Sequence, residues 1–168
     1  MNCNPFTLGH QYLIEKVASE NEEVLVFVVE EDKSAFPFKI RYGLVQKGVS
    51  HLSNVKVIEG TEYIISSATF PNYFLRKEDD ALIEYTKLDA SVCGEKFGKI
   101  LNINKRYVGE EPYCNVTNTY NNTLKEILPK YNIEVVVVPR KEVEGKAISA
   151  SYVRELLKEE NFQEIKKN

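Results

Sequence analysis

Val24-Leu25-Val26-Phe27-Val28-Val29 is apolar at every position, and all of its side chains but Leu25 are β-branched or aromatic. Such a run, with no polar alternation, is what a strand covered on both faces requires, so it reads as an interior strand of a parallel sheet. Toward the C terminus an acidic turn, Glu30-Glu31-Asp32, leads to Phe38–Gly48, where Ile40, Leu44 and Val45 have helical spacing and Gly48 stands as a cap. Lys39 and Arg41 are candidates for phosphate contact but read as surface residues of that helix. Asn54-Val55-Lys56-Val57-Ile58 is a second strand, closed by a turn at Glu59-Gly60-Thr61. Strand, helix and strand make a βαβ unit.

Toward the N terminus lies Asn4-Pro5-Phe6-Thr7-Leu8-Gly9-His10, a polar turn running into the periodic apolar residues Leu13, Ile14, Val17 and Ala18. This is a loop that opens a helix. Gly9 removes a side chain where the backbone must come close to a neighbour, and the amides of a first helical turn carry partial positive charge. Thr7 and His10, three residues apart, can flank an anion there, which suits a phosphate. An ordinary loop with a capping threonine is the competing reading.

Further on, residues 63–69 read as a short strand, and Phe70-Pro71-Asn72-Tyr73-Phe74-Leu75 as a helix start with Pro71 in its first turn. Residues 79–85 and 88–101 read as helical. Arg106-Tyr107-Val108 is a short strand ending in Gly109-Glu110-Glu111-Pro112, and the carboxyl end of a strand is where α/β sheets hold ligands. A solvated acidic turn is the alternative. Residues 123–128 form a helix stopped by Pro129, and Ile133-Glu134-Val135-Val136-Val137-Val138 is a second buried strand ended by Pro139. Then comes Lys146-Ala147-Ile148-Ser149-Ala150-Ser151-Tyr152-Val153-Arg154, with Ser149 or Ser151 placed to cap a helix. Capping explains the serines, whereas Lys146 before them and the fork of Arg154 one turn inside suit a second anion site. No repeat or linker interrupts the alternation, so residues 1–168 read as a single domain.

Composition narrows the function classes. The chain has 168 residues, 22 basic and 25 acidic, for a net charge of -3. With no basic block, nucleic acid is not the expected partner. The apolar runs are too short to span a bilayer and no leader precedes the first motif, so the protein is expected to be cytoplasmic, with no membrane partner. Cys3, Cys93 and Cys114 lie far apart and read as reduced thiols, mostly buried. His10 and His51 are the only histidines, and no structural metal site is expected.

The two anion-binding segments together carry a family resemblance. Thr7-Leu8-Gly9-His10 resembles the T/H-x-G-H motif of nucleotidyltransferases, and Ile148-Ser149-Ala150-Ser151-Tyr152-Val153-Arg154 resembles their I-S-S-T-x-I-R motif. With Asn4-Pro5-Phe6, Ile65-Ser66-Ser67-Ala68-Thr69-Phe70-Pro71 and Val108-Gly109-Glu110-Glu111-Pro112-Tyr113, the chain is similar along essentially its whole length to the citrate lyase ligases.

That resemblance implies a Rossmann-like nucleotidyltransferase fold and a two-step reaction. ATP and acetate would give an acetyl-adenylate and pyrophosphate, and the acetyl group would pass to the prosthetic thiol on the acyl-carrier subunit of citrate lyase, activating the lyase. His10 and Thr7 would be catalytic. Asn4, Pro5, Phe6, Gly9, Gly109, Glu110, Glu111, Lys146, Ser149, Ser151 and Arg154 would bind the nucleotide. Magnesium would bridge the phosphates through water, without a named protein ligand. Family members usually have an acetyltransferase-like domain and then an apolar strand ahead of the T-x-G-H loop, and with Met1 three residues before Asn4 both are expected to be missing. Two alternatives stay open: an adenylyltransferase with a phosphopantetheine or mononucleotide acceptor, and a non-catalytic remnant that binds nucleotide or carrier.

Overall fold

The computed structural model describes residues 1–30, 34–71, 81–143 and 145–167. The chain forms two compact units, one made of Met1–Glu59 with Arg140–Asn168 and the other of Gly60–Pro139. Each contains a parallel strand pair joined through a helix, an α/β, Rossmann-like arrangement.

In the first unit α1 (Leu8–Glu20) precedes β1 (Val24–Val28), and α2 (Phe38–Gly48) crosses over to β2 (Val55–Glu59). The strands run parallel in register from Val24 opposite Val55 to Val28 opposite Glu59. The buried side chains are those the apolar patterns supply: Ile14, Val17 and Ala18 from α1, Val26, Phe27 and Val28 from β1, and Val45 from α2. Burying a valine such as Val28 or Val45 completely contributes ~1.5–3 kcal/mol. Asn54 fastens the end of α1 to the start of β2, donating from Nδ2 to the carbonyls of Ala18 and Asn21, each at 2.8 Å. Those are helix-end acceptors without partners inside the helix. The Val24 amide bonds to Asn54, whereas Phe27 accepts from the Met1 amino group and Val29 donates to the Met1 carbonyl. Because alternate residues of a strand direct their peptide groups to opposite edges, Met1 lies along the edge of β1 away from β2.

The face of α2 is not the one its apolar residues suggest. Ile40 is 50% exposed, whereas Arg41 is fully buried. The Arg41 guanidinium donates to the carbonyls of Val29 (2.7 Å), Asn2 (2.8 Å) and Phe36 (2.9 Å). Three segments that would leave carbonyls unsatisfied are held by one fork, a use of arginine that hydrophobic periodicity cannot reveal. Gly48 is the last residue of α2 and Val49 caps it with φ -114°, so no left-handed glycine cap is present there. A β5–β6 hairpin (Glu142–Val143, Lys146–Ala147), α5 (Ala150–Lys158) and α6 (Phe162–Ile165) complete this unit.

In the second unit α3 (Leu82–Val92) continues as a π-helical segment, Cys93–Gly98. Parallel strands β3 (Lys105–Gly109) and β4 (Glu134–Val138) flank α4 (Asn115–Ile127) and a 3-10 turn, Leu128–Tyr131. Residues 63–69 are turns, not a strand, and Ile65 has a left-handed backbone with φ 49°. The helix start expected at 70–75 lies mostly outside the described residues, as do Glu31 and Asp32 of the acidic turn. β4 is less buried than its valines suggest, with Val137 37% exposed. Asp89 organises the interior: Oδ1 accepts from the Ile65 amide and the Thr69 hydroxyl, both at 2.8 Å, and Oδ2 from the Tyr120 hydroxyl at 2.6 Å.

Candidate functional site

Thr7, in extended conformation at φ -130° and ψ 168°, is the N-cap of α1, and His10 is the third residue of the helix. The side chain folds back: the Thr7 amide donates to His10 Nδ1 at 3.1 Å, and the Thr7 hydroxyl lies 2.9 Å from the same nitrogen. A nitrogen that accepts from an amide carries no proton, so the neutral ring holds its proton on Nε2. Burial, reinforced by the positive charges of the Met1 amino group and Arg140, lowers the His10 pKa to about 4. At neutral pH the site therefore presents an uncharged N–H donor of fixed tautomer.

The ring is also held on its face. Phe6 stacks on it with centroids 5.8 Å apart and planes at 21°. A Cβ at Gly9 would lie 3.4 Å from both Cβ and Cγ2 of Ile148, so the first turn of α1 packs directly against the segment ahead of α5. The Ile148 amide donates to the Lys141 carbonyl at 3.1 Å, and the Lys141 ammonium lies 5.7 Å from the Tyr12 ring centroid. Ser149 is the N-cap of α5, its hydroxyl accepting from the amides of Ser151 (3.2 Å) and Tyr152 (3.5 Å). Arg154 donates to the Asn4 carbonyl and, at 2.9 Å, to the Ser151 hydroxyl.

The first unit thus brings Asn4, Phe6, Thr7, Gly9, His10, Ser149, Ser151 and Arg154 together across the two ends of the chain. Several have structural work to do. Asn4 Oδ1 accepts from the Phe36 amide at 3.0 Å, and its peptide bond to the buried Pro5 is cis. Lys146 lies on β6, with its side chain outside the described residues. Gly109, Glu110 and Glu111 belong to the second unit, at the carboxyl end of β3. There the Glu110 amide donates to the Val138 carbonyl at 2.9 Å, and Glu111 Oε1 accepts from the amides of Tyr113 (3.1 Å) and Cys114 (3.2 Å), just ahead of α4. Arg140, whose charge reaches His10, was not singled out by the sequence. Its position just beyond a strand's carboxyl end is the signal that could have found it. Among the described residues no cluster of three or more His, Cys, Asp or Glu could hold a metal, and no helix is long and apolar enough to cross a membrane.

The low His10 pKa has a measurable consequence for stability. An unfolded histidine titrates near pH ~6.5, so between that pH and about 4 the unfolded chain takes up a proton that the folded chain does not. Stability from this residue is present above pH ~6.5 and is lost as the pH falls toward 4. Urea midpoints measured from pH 7 to pH 4 should fall more steeply for the wild type than for His10→Gln. Equal slopes would mean that His10 titrates normally in the folded chain.

The family model for the C-terminal domain of citrate lyase ligase matches residues 1–168. The chain is 39% identical over 169 residues to the [citrate [pro-3S]-lyase] ligase of Klebsiella pneumoniae, covering 98% of this chain and 49% of that protein. The Haemophilus influenzae enzyme of the same name is 40% identical over 172 residues, covering 98% of this chain and 51% of that protein. The chain therefore spans about half the length of these curated relatives. A shorter match, 43% identical over 56 residues and 32% of this chain, is to the phosphopantetheine adenylyltransferase of Finegoldia magna.

Proposed function

This chain belongs to the citrate lyase ligase family, and from that premise we propose that it is the adenylating part of an ATP-dependent ligase that activates acetate and transfers it to the prosthetic thiol of the citrate lyase acyl-carrier subunit. Both units would serve one ligase domain. Acetate is ionised near neutral pH, since carboxylic acids titrate around pH ~4, so attack on the α-phosphorus needs no general base. A carboxylate oxygen bonds to that phosphorus while the bond to the bridging oxygen breaks, and pyrophosphate leaves with the negative charge. Catalysis is then a matter of alignment and of donors aimed at the departing phosphates.

The observation that carries this reading is His10, with its tautomer fixed by Thr7 and its proton on Nε2. An Nε2–H donor stabilises charge on the leaving group without giving up its proton. Thr7 and the loop of Asn4, Pro5, Phe6 and Gly9 would surround the phosphates from the α1 side, and Lys146, Ser149, Ser151 and Arg154 from the α5 side. Gly109, Glu110 and Glu111 are proposed to hold the nucleoside through acceptor atoms. Magnesium would arrive with the nucleotide and neutralise phosphate charge. In the second step the thiolate sulfur attacks the acetyl carbonyl and AMP leaves.

In its native full-length form the protein should release pyrophosphate from ATP only when acetate is present, and release AMP once the thiol carrier is added. The local likeness to a phosphopantetheine adenylyltransferase favours one other reading, adenylyl transfer to a phosphate acceptor. Pyrophosphate release with phosphopantetheine or a mononucleotide, and none with acetate, would establish that reading in place of the ligase.

A further inference from the structure

We infer that Phe6 is a positioning residue for His10, and that Gly48, on a different helix, is the seat that makes this possible. The inference rests on the proposed role of His10 as donor to the leaving phosphates. A Cβ placed on Gly48 would lie 2.3 Å from Cε1, 3.0 Å from Cζ and 3.1 Å from Cδ1 of Phe6. No real Cβ tolerates the first of these distances, so the ring occupies the space that any other residue at position 48 would fill. Backbone conformation does not explain the glycine, because Gly145 is the only glycine with positive φ among the described residues. The same ring stacks on the imidazole.

His10 is thus held at two places. Thr7 fixes the Nδ1 edge, which sets the tautomer, but two hydrogen bonds to one nitrogen leave the ring free to swing about that contact. Phe6 fixes the plane. Only when both are set does Nε2–H point in one direction, and a donor displaced by ~1 Å can lose 10²-fold in rate. Gly48 acts one step further back, through Phe6, and touches neither the imidazole's nitrogens nor the phosphates they would meet.

The test uses Gly48→Ala, Phe6→Leu and the double variant in the full-length protein with ¹⁵N-labelled histidine. Alanine normally improves a helix over glycine, so a loss at position 48 would run against propensity. Expected for Gly48→Ala are a fall in kcat of ~10-fold or more with the KM for ATP little changed, and His10 nitrogen resonances displaced from the Nε2–H pattern. Phe6→Leu should do the same. Adding Gly48→Ala to Phe6→Leu should change neither quantity further, because the clashing ring is gone. A purely packing role would lower the melting temperature and leave kcat of the folded fraction and the His10 resonances as in the wild type, which overturns the inference. So would a Gly48→Ala effect that adds in full to that of Phe6→Leu. Should Gly48→Ala fail to fold, Phe6→Leu alone decides between these outcomes by the same two readouts. Binding of MgATP to the wild type separates the premise from the inference. If the apo resonances respond to the substitutions as expected but MgATP leaves the wild-type His10 signals unmoved, the positioning stands and the nucleotide role of His10 falls.

Discussion

Turnover of the His10→Ala variant is expected to fall by ~10²-fold or more, about 3 kcal/mol of transition-state stabilisation, with ATP affinity close to that of the wild type. The asymmetry follows from the state of the ring. On the proposed function, a neutral imidazole would add little to binding of a triphosphate that helix amides and basic side chains would already meet. Its N–H would gain strength only as the leaving oxygens took on additional charge in the transition state. Single-turnover release of pyrophosphate, with ATP affinity measured separately, distinguishes the two. If His10→Ala weakened ATP binding as much as it slowed turnover, the residue would be an ordinary binding contact. If turnover in the folded protein were unchanged, capping of α1 would be its whole role.

The largest effect on stability is expected at Asp89, which is 1% exposed. Its two oxygens take three hydrogen bonds, from the Ile65 amide, the Thr69 hydroxyl and the Tyr120 hydroxyl. Burial and the adjacent Asp89 charge raise the Tyr120 pKa well above that of a free phenol, so the hydroxyl stays a donor. Asp89→Ala would leave all three donors without their acceptor. Removing one partner from a buried charged network costs ~3–5 kcal/mol, a large fraction of a domain's ~5–15 kcal/mol of stability. The Ile65 turn should be the first element lost, since a β-branched residue in left-handed conformation persists only where its surroundings enforce it. Urea unfolding followed by tyrosine fluorescence would measure the loss. A change below ~1 kcal/mol would mean that water or a rearranged neighbour replaces the carboxylate.

The strands were legible because short runs of β-branched and aromatic residues leave a plain mark, whether or not both faces are covered. The run at 24–29 became β1, with Val28 fully buried, and the runs near 55, 106 and 134 also became strands, no end differing by more than one residue. α4 was read only from residue 123, yet it begins at Asn115. Its first half, Asn-Val-Thr-Asn-Thr-Tyr-Asn-Asn, is rich in residues whose side chains compete with helical backbone bonds. Burial of Val116, Tyr120 and Asn121 overrides that preference, and tertiary burial has no local signature. The same holds for Arg41, a charged residue read as surface because nothing nearby in sequence shows the carbonyls it satisfies. Of the candidate site residues, Thr7, Gly9 and His10 stand out in the sequence by residue type and spacing, and the structure places them together at the start of α1. The Phe6 seat does not stand out, because Gly48 looked like a helix stop and the reason for the glycine lies on a segment 42 residues away.

The bond from Arg154 to the Asn4 carbonyl spans 150 residues of sequence, within a unit whose two parts are separated by the whole of Gly60–Pro139. Closing so long a loop is slow relative to forming local contacts, so this tie is expected to form late in folding. On the ribosome the continuous segment 60–139 is complete first and can fold as a unit. The unit of residues 1–59 is completed only by residues 140–168, and the loop around His10 acquires its brace only after Arg154 has emerged.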